Sequence, residues 1–71
     1  MLKKGIYRHY KGNLYELIDV AIHSEDLSEM VVYRALYGEK KLWVRPSSMW
    51  EEKVIVDGRS MKRFELMEEK K

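Results

Sequence analysis

Closely spaced turn motifs are the feature that most limits what this chain can fold into. Glycine, asparagine and proline divide the sequence into short apolar segments; the motifs are Lys11-Gly12-Asn13, Gly38-Glu39-Lys40, Arg45-Pro46 and Asp57-Gly58. Proline fixes its own backbone torsion and restricts the residue before it, and Asp-Gly is among the strongest short hairpin signals. Segments this short between turn residues are typical of β-strands.

The segments between the turns carry the apolar and β-branched residues expected of strands. They cover residues 5–10, 14–22, 30–37, 42–44, 53–56 and 63–66, and residues 47–50 predict a single helical turn. One segment is ambiguous, because residues 24–38 also fit a helix with Ser24 as its N-cap and Gly38 at its end. The adjacent Val31 and Val32 beside Tyr33 favour a strand, which is the interpretation we adopt.

The length of the chain sets the scale of the fold. Its 71 residues have room for one small domain, with a core of about residues 5–66 and a charged tail at residues 67–71. Short strands in such a chain must hide two sheet edges and fill one core. The sequence therefore predicts a mainly β fold, a small SH3-like antiparallel β-barrel of about five strands with one short helical turn. The stability margin of so small a core is thin, which leaves a homodimer open.

The composition excludes several classes of protein. The chain has no cysteine, so disulfide frameworks, zinc knuckles and thiol catalysis are excluded. No apolar stretch of signal-peptide type follows Lys3 and Lys4, and no apolar run is long enough to cross a membrane. We therefore expect a cytoplasmic protein with no membrane partner. A formal net charge of +2 is small for a dedicated nucleic-acid module.

Motifs for catalysis, metal binding and cofactor binding are absent from the sequence. It has no glycine-rich phosphate loop, no nucleophile elbow and no closely spaced pair of histidines. Ser24 follows His23 directly, and chain neighbours on a strand point to opposite faces, so the two do not form a catalytic pair. We therefore predict no catalytic residues, no metal, no cofactor and no enzymatic activity.

Cationic side chains set among aromatic ones are the strongest functional feature of the sequence. Guanidinium groups over aromatic rings can hold a carboxylate, a phosphate or a nucleobase. The candidate ligand-binding residues are Tyr7, Arg8, His9, Tyr10, His23, Tyr33, Arg34, Trp43 and Arg45. A purely structural interpretation is the more common one for such a cluster; in it Arg34 pairs with Glu16 or Asp19 on a neighbouring strand and the aromatic rings pack the core.

Four of these segments together resemble a known family. They are residues 5–12 (GIYRHYKG), 21–25 (AIHSE), 31–37 (VVYRALY) and 43–46 (WVRP), and the similarity runs in order from about Gly5 to Phe64. The chain resembles the bacterial family catalogued as domain of unknown function 1653. The resemblance implies a single SH3-like barrel with no assigned activity. Members of that family tend to carry a proline before Arg-Phe, where this chain has Lys62 before Arg63 and Phe64.

The sequence leaves four functional hypotheses open. The first is a non-enzymatic interaction module whose Tyr/Arg/His/Trp surface binds an acidic or phosphate-bearing partner, protein or nucleic acid. The second is a single-strand nucleic-acid binder in which Tyr7, Tyr10 and Trp43 stack on bases. The third is a homodimer whose aromatic face is the subunit interface. The fourth is a small-molecule-binding protein or small enzyme that uses His9 or His23 as an acid–base group.

Overall fold

The computed structural model describes residues 2–70, which form seven antiparallel strands and one short helix. In chain order the elements are β1 (Gly5–His9), β2 (Leu14–Ile22), β3 (Glu29–Ala35), β4 (Leu42–Pro46), α1 (Ser47–Trp50), β5 (Lys53–Val56), β6 (Arg59–Lys62) and β7 (Phe64–Glu69). The predicted class, mainly β with one short helical turn, is confirmed, and residues 29–35 are a strand rather than part of a helix.

Five of the strands form the main sheet, in the order β4-β3-β2-β1-β7. The first four strands of the chain follow one another across this sheet, and β7 returns to lie beside β1. Its edges, β4 and β7, are not hydrogen-bonded to each other, so the sheet curls around the core without closing into a barrel. The open edge and the seven strands are the points at which the structure differs from the expected closed five-stranded barrel.

A separate hairpin of β5 and β6 accounts for the higher strand count. Asp57 and Gly58 join the two strands with φ values of 50° and 78°, as a two-residue type I′ turn requires. The sequence placed residues 63–66 as the second arm of this hairpin, but that arm is Arg59–Lys62. Phe64 instead begins β7, and its strand pairs with β1.

The last strand is longer than the sequence indicates. Met67, Glu68 and Glu69, which the sequence assigned to the charged tail, belong to β7, and the latter two pair with Ile6 and Gly5. The backbone N–H of Lys70 donates to the carbonyl of Lys4, which extends this contact by one residue. Lys71, the end of the predicted tail, lies outside the described residues.

The core is dominated by aromatic side chains. Its buried hydrophobic members are Tyr7, Leu17, Val31, Tyr33, Ala35, Trp50 and Phe64. The indole of Trp50 stacks on the ring of Phe64 with centroids 3.8 Å apart and an angle of 1° between the planes. Helix α1 directly follows β4 and ends at Trp50, so a single helical turn brings the largest side chain of the chain over the sheet.

A tight contact between backbones joins the first and last strands. Gly5 has a φ of 154°, and a Cβ atom at this position would collide with the carbonyl oxygen of Glu68. The β1–β7 register shifts between Ile6 and Tyr7, immediately after this contact. Glycine at position 5 therefore allows β7 to approach β1.

Helical membrane spans are not found in residues 2–70, whose single helix has four residues.

Candidate functional site

One end of the main sheet collects the cationic and aromatic residues. In this antiparallel sheet β1 ends where β2 and β7 begin, with His9 directly opposite Phe64. The turn after β1 adds Tyr10 and Lys11. Arg45 lies toward the other end of the sheet, opposite Val31, and its side chain reaches the rings of Tyr33 and Phe64. We call this group the basic–aromatic patch; its members are His9, Tyr10, Lys11, Tyr15, Tyr33, Arg45, Arg63 and Phe64.

The His9 ring lies among three aromatic rings of the patch. Its centroid is 4.5 Å from Tyr10, 5.0 Å from Phe64 and 6.2 Å from Tyr15. The Phe64 and Tyr15 contacts are edge-to-face, the arrangement that the charge distribution of aromatic rings favours. The imidazole is therefore held in a fixed position and remains partly exposed.

Arg45 adds a positive charge over the same rings. Its guanidinium carbon lies 5.5 Å from the centroid of Phe64 and 5.9 Å from that of Tyr33. The side chain is half-buried, and no hydrogen bond or ion pair joins it to any residue between 2 and 70. A guanidinium stacked on rings in this way keeps its N–H donors available for a further acceptor.

Arg63 forms the opposite side of the patch. Its guanidinium carbon lies 5.8 Å from the centroid of Tyr10, and one terminal nitrogen pairs with the carboxylate of Glu52. The Nε atom of Arg63 is buried without a hydrogen-bond partner among the described residues. The ion pair with Glu52 therefore satisfies only part of this side chain.

Burial and three nearby cations together lower the pKa of His9. Removal of the imidazole from water is the largest cause, followed by the charges of Arg63, Arg45 and Lys11. The Nδ1 atom of His9 accepts a hydrogen bond from the backbone N–H of Lys11 at 3.2 Å. The neutral ring therefore carries its proton on Nε2 and acts there as a donor.

The Tyr15 hydroxyl connects the patch to the loop after β3. It lies 2.7 Å from the hydroxyl of Tyr37, and the two rings meet edge-to-face at 5.6 Å. Burial, together with this hydrogen bond, raises the pKa of Tyr15 to about 12, so the phenol stays protonated at neutral pH. Tyr37 itself is 46% exposed.

A groove of about 270 Å³ lies beside the patch. Tyr37 and Trp43 contribute its two aromatic side chains, and Lys40 and Lys41 contribute its cations. Trp43 is 54% exposed although it lies opposite the buried Tyr33 in the β3–β4 register. The exposure arises because β4 is an edge strand with no neighbour on its outer side. We call this feature the Tyr37–Trp43 groove.

The structure brings together four of the nine residues that the sequence singled out. His9, Tyr10, Tyr33 and Arg45 are in the basic–aromatic patch, and Trp43 lies in the adjoining groove. Tyr7 is in the core, where its hydroxyl donates to the carbonyl of Lys3 at 2.6 Å.

Three predicted residues are not members of the patch. Arg8 is on the outer face of β1, 3.9 Å from the carboxylate of Glu65, and borders a cleft of about 170 Å³ that Tyr10 also lines. The guanidinium of Arg34 donates to the carbonyl of Lys40 at 2.8 Å, and Glu16 is its cross-strand neighbour. His23 follows the far end of β2, where its Nδ1 accepts the backbone N–H of Glu25 at 3.1 Å.

Several patch and groove residues were missing from the sequence prediction; they are Lys11, Tyr15, Tyr37, Lys40, Lys41, Arg63 and Phe64. Lys11 is part of the same alternation of rings and cations as Tyr10, so its charge was visible in the sequence. Arg63 carries no such signal, because only the pairing of β7 with β1 brings it to Tyr10.

A second cleft, of about 320 Å³, lies on another side of the core. Leu2, Tyr7, Trp50 and Leu66 line it together with the charged side chains of Lys3, Glu51 and Lys62. Among residues 2–70 no group of three or more His, Asp or Glu side chains is placed to hold a metal ion.

Comparisons with known proteins agree with the resemblance noted in the sequence. Residues 5–66 match the sequence model of the DUF1653 family, a family described as proteins of unknown function. The fold is similar to the crystal structure of a DUF1653 protein from Bordetella bronchiseptica, with a TM-score of 0.88 and 29% sequence identity over 99% of this chain and 92% of that one. No curated protein matches the chain. The protein belongs to the DUF1653 family.

Proposed function

We propose that this protein is a non-enzymatic binding module whose basic–aromatic patch holds the anionic group of a phosphate-bearing or acidic partner. The observation that carries the proposal is the state of Arg45. Its guanidinium lies over two core rings, is partly withdrawn from water, and has no carboxylate partner among residues 2–70. A cation in such surroundings binds an anion with little competition from neighbouring groups.

The charges around Arg45 support the same role. Lys11 and Arg63 are close enough to lower the pKa of His9 together with Arg45, while the nearby carboxylate of Glu52 is paired with Arg63. An anion in the patch would meet the positive charges of Arg45 and Lys11, the charge of Arg63 partly offset by Glu52, and the Nε2–H donor of His9. Binding of the anion would also favour protonation of His9, which adds a fourth positive charge.

The proposal assigns the patch to binding rather than catalysis. The Nδ1 atom of His9 is engaged by the N–H of Lys11, and the pKa of Tyr15 is raised, so neither group is arranged as a strong base at neutral pH. The same proposal places the module in the cytoplasm, as the sequence predicts.

An amide-resolved NMR titration tests the proposal. The probes are tripolyphosphate and a hexaglutamate peptide, which separate phosphate from carboxylate as the source of the anionic group. We expect shift changes to concentrate on residues 9–11, 45 and 63, with saturation by at least one probe. In Arg45→Met the alkyl chain still covers the rings, but the charged hydrogen bonds to the anion are lost. The dissociation constant should therefore rise at least about tenfold.

Arg59→Met is the matched control, because it removes the same charge from the exposed hairpin of β5 and β6, outside the patch. Binding by this variant should remain within about twofold of the wild-type value, since salt screens the attraction of a distant exposed charge. An equal loss in both variants would show attraction to net charge alone and would overturn the patch as the site. Absence of saturable binding by both probes would overturn the proposed function.

A further inference from the structure

We infer that the partner of the basic–aromatic patch is a single-stranded nucleic acid, with its phosphates on the patch and a base stacked in the Tyr37–Trp43 groove. This inference rests on the proposed function and adds the chemical class of the partner. It arises from the position of two exposed aromatic side chains beside a group of cations, which is the combination that single-strand binders use.

Trp43 lies on the edge strand β4, close to Arg45. Trp43 is 54% exposed and Tyr37 is 46% exposed, and the two rings line the same groove, so they form an exposed aromatic surface rather than an isolated apolar residue. Trp43 and Arg45 lie on the same face of β4, since they are two residues apart on one strand. Their spacing along the strand is about 6.5 Å, which is comparable to the reach from the base to the phosphate within one nucleotide.

Tyr37 connects the groove to the patch through its contact with Tyr15. Its hydroxyl is hydrogen-bonded to that of Tyr15, whose ring lies 6.2 Å from His9. A chain of aromatic rings therefore runs from the groove to the cations of the patch. In a single-stranded nucleic acid the bases and phosphates alternate, so a base on the rings of the groove leaves a neighbouring phosphate for the cations of the patch.

The charges of the groove favour a phosphate backbone over a neutral partner. Glu39 lines the groove, but it pairs with Lys41 at 2.9 Å. Lys40 has no ion pair with any residue between 2 and 70. Together with Arg45, the groove side of β4 therefore presents a net positive charge to its occupant.

A second copy of the chain fits this edge poorly. If the β4 strands of two copies paired antiparallel around Trp43, Lys41 of each copy would face Arg45 of the other. Like charges directly opposite each other destabilise a strand pair. A carboxylate-rich peptide would satisfy the cations, but it has no ring to cover Trp43 and Tyr37.

Tryptophan fluorescence gives a direct test, because the chain has two tryptophans with opposite environments. Trp50 is 1% exposed and Trp43 is 54% exposed, so a quencher such as acrylamide reports on Trp43. The probes are a thymidine 12-mer and an abasic 12-mer with the same phosphates. We expect the thymidine 12-mer to protect Trp43 from acrylamide and the abasic 12-mer to bind more weakly without protecting it.

Substitutions at Trp43 measure the stacking. Base stacking on an aromatic side chain contributes about 1–3 kcal/mol, so Trp43→Leu should weaken binding of the thymidine 12-mer by about 5- to 150-fold. Trp43→Phe keeps a ring and should recover much of this loss. Leu42→Ala is the matched control, since Leu42 is equally exposed on the other face of β4 and should leave affinity unchanged.

The outcomes separate this inference from the proposed function. Equal affinity for both 12-mers, with Trp43→Leu unaffected, would overturn base stacking while anion binding at the patch stands. Failure of both 12-mers, of tripolyphosphate and of the hexaglutamate peptide would overturn both. The inference would also be overturned if Trp43 is shielded from acrylamide in the free protein and becomes exposed on dilution, while sedimentation shows a dimer dissociating. That result would assign the groove to a second copy of the chain.

Discussion

Gly5 shows how much a single residue can decide in a sheet of this size. A methyl group at this position would meet the backbone oxygen of Glu68, and the positive φ is unfavourable for any side chain. Gly5→Ala should therefore force β7 away from β1 and lower the free energy of unfolding by about 3 kcal/mol or more, at the upper end of overpacking effects. Urea denaturation followed by circular dichroism measures this change.

Gly38→Ala is the control for the substitution at Gly5. Gly38 also has a positive φ, of 59°, but nothing lies within 4 Å of the added methyl group. Only the cost of a side chain at a positive φ remains, so Gly38→Ala should lower the free energy of unfolding by about 1–2 kcal/mol. Equal destabilisation by the two variants would show that the contact with Glu68 contributes nothing.

Helix α1 has a single turn, so its contribution comes from what it buries rather than from helix stability. Trp50→Ala removes the stacking partner of Phe64 and leaves a large cavity, at a cost of about 3–5 kcal/mol. That loss is a large part of the stability expected for a domain of this length, about 4–10 kcal/mol, so we expect the melting temperature to fall by about 12–40 °C.

Two further variants isolate the reason for the loss at α1. Met49→Ala changes the neighbouring residue of the same turn, which is 44% exposed, and should alter stability by no more than about 0.5 kcal/mol. Trp50→Phe keeps a ring and removes an indole N–H that is buried without a partner in residues 2–70. It should therefore cost clearly less than Trp50→Ala. A cooperative melting transition of Trp50→Ala at the wild-type temperature would contradict the role given to this helix.

Local elements were the predictable part of this structure. The Asp57-Gly58 turn, the helical turn before Trp50 and the strand around Val31 all follow from residue preferences within a few positions. The second arm of the hairpin was assigned to the wrong residues because β7 is held by β1, far away in the sequence. The site divides in the same way: the cations beside Tyr10 were visible in the sequence, whereas Arg63 reaches them only through that distant pairing.

At the scale of the whole molecule, the basic–aromatic patch links stability to pH. The pKa of His9 in the folded protein lies below the ordinary histidine value of 6.5, so the unfolded chain binds more protons between these two pKa values. This contribution to stability is complete above the unfolded pKa and is lost as the pH falls toward the folded one. His9→Gln should flatten the rise in unfolding free energy with pH in the range just below about pH 6.5.

Urea titrations of the wild type and His9→Gln across this pH range measure the effect, and the NMR shift of the His9 Cε1 proton reports its pKa directly. Tripolyphosphate should raise that pKa, because a bound anion offsets the repulsion from Arg45, Arg63 and Lys11. A His9 midpoint above 6.5 in the free protein, or identical pH slopes for the two proteins, would contradict this account.

The pairing of β1 with β7 has a consequence for how the molecule is made. The ribosome synthesises β1 first among the strands, yet β1 gains its second neighbour only when β7 follows. At about 5–20 residues per second, that delay lasts several seconds. During this interval the nascent chain presents an unfinished edge along β1, with Tyr7 and Leu17 lacking the cover of Phe64 and Leu66. β7 can pair with β1 only after it has left the ribosome, so the fold is completed after β7 is synthesised, and until then the chain is open to aggregation or chaperone binding.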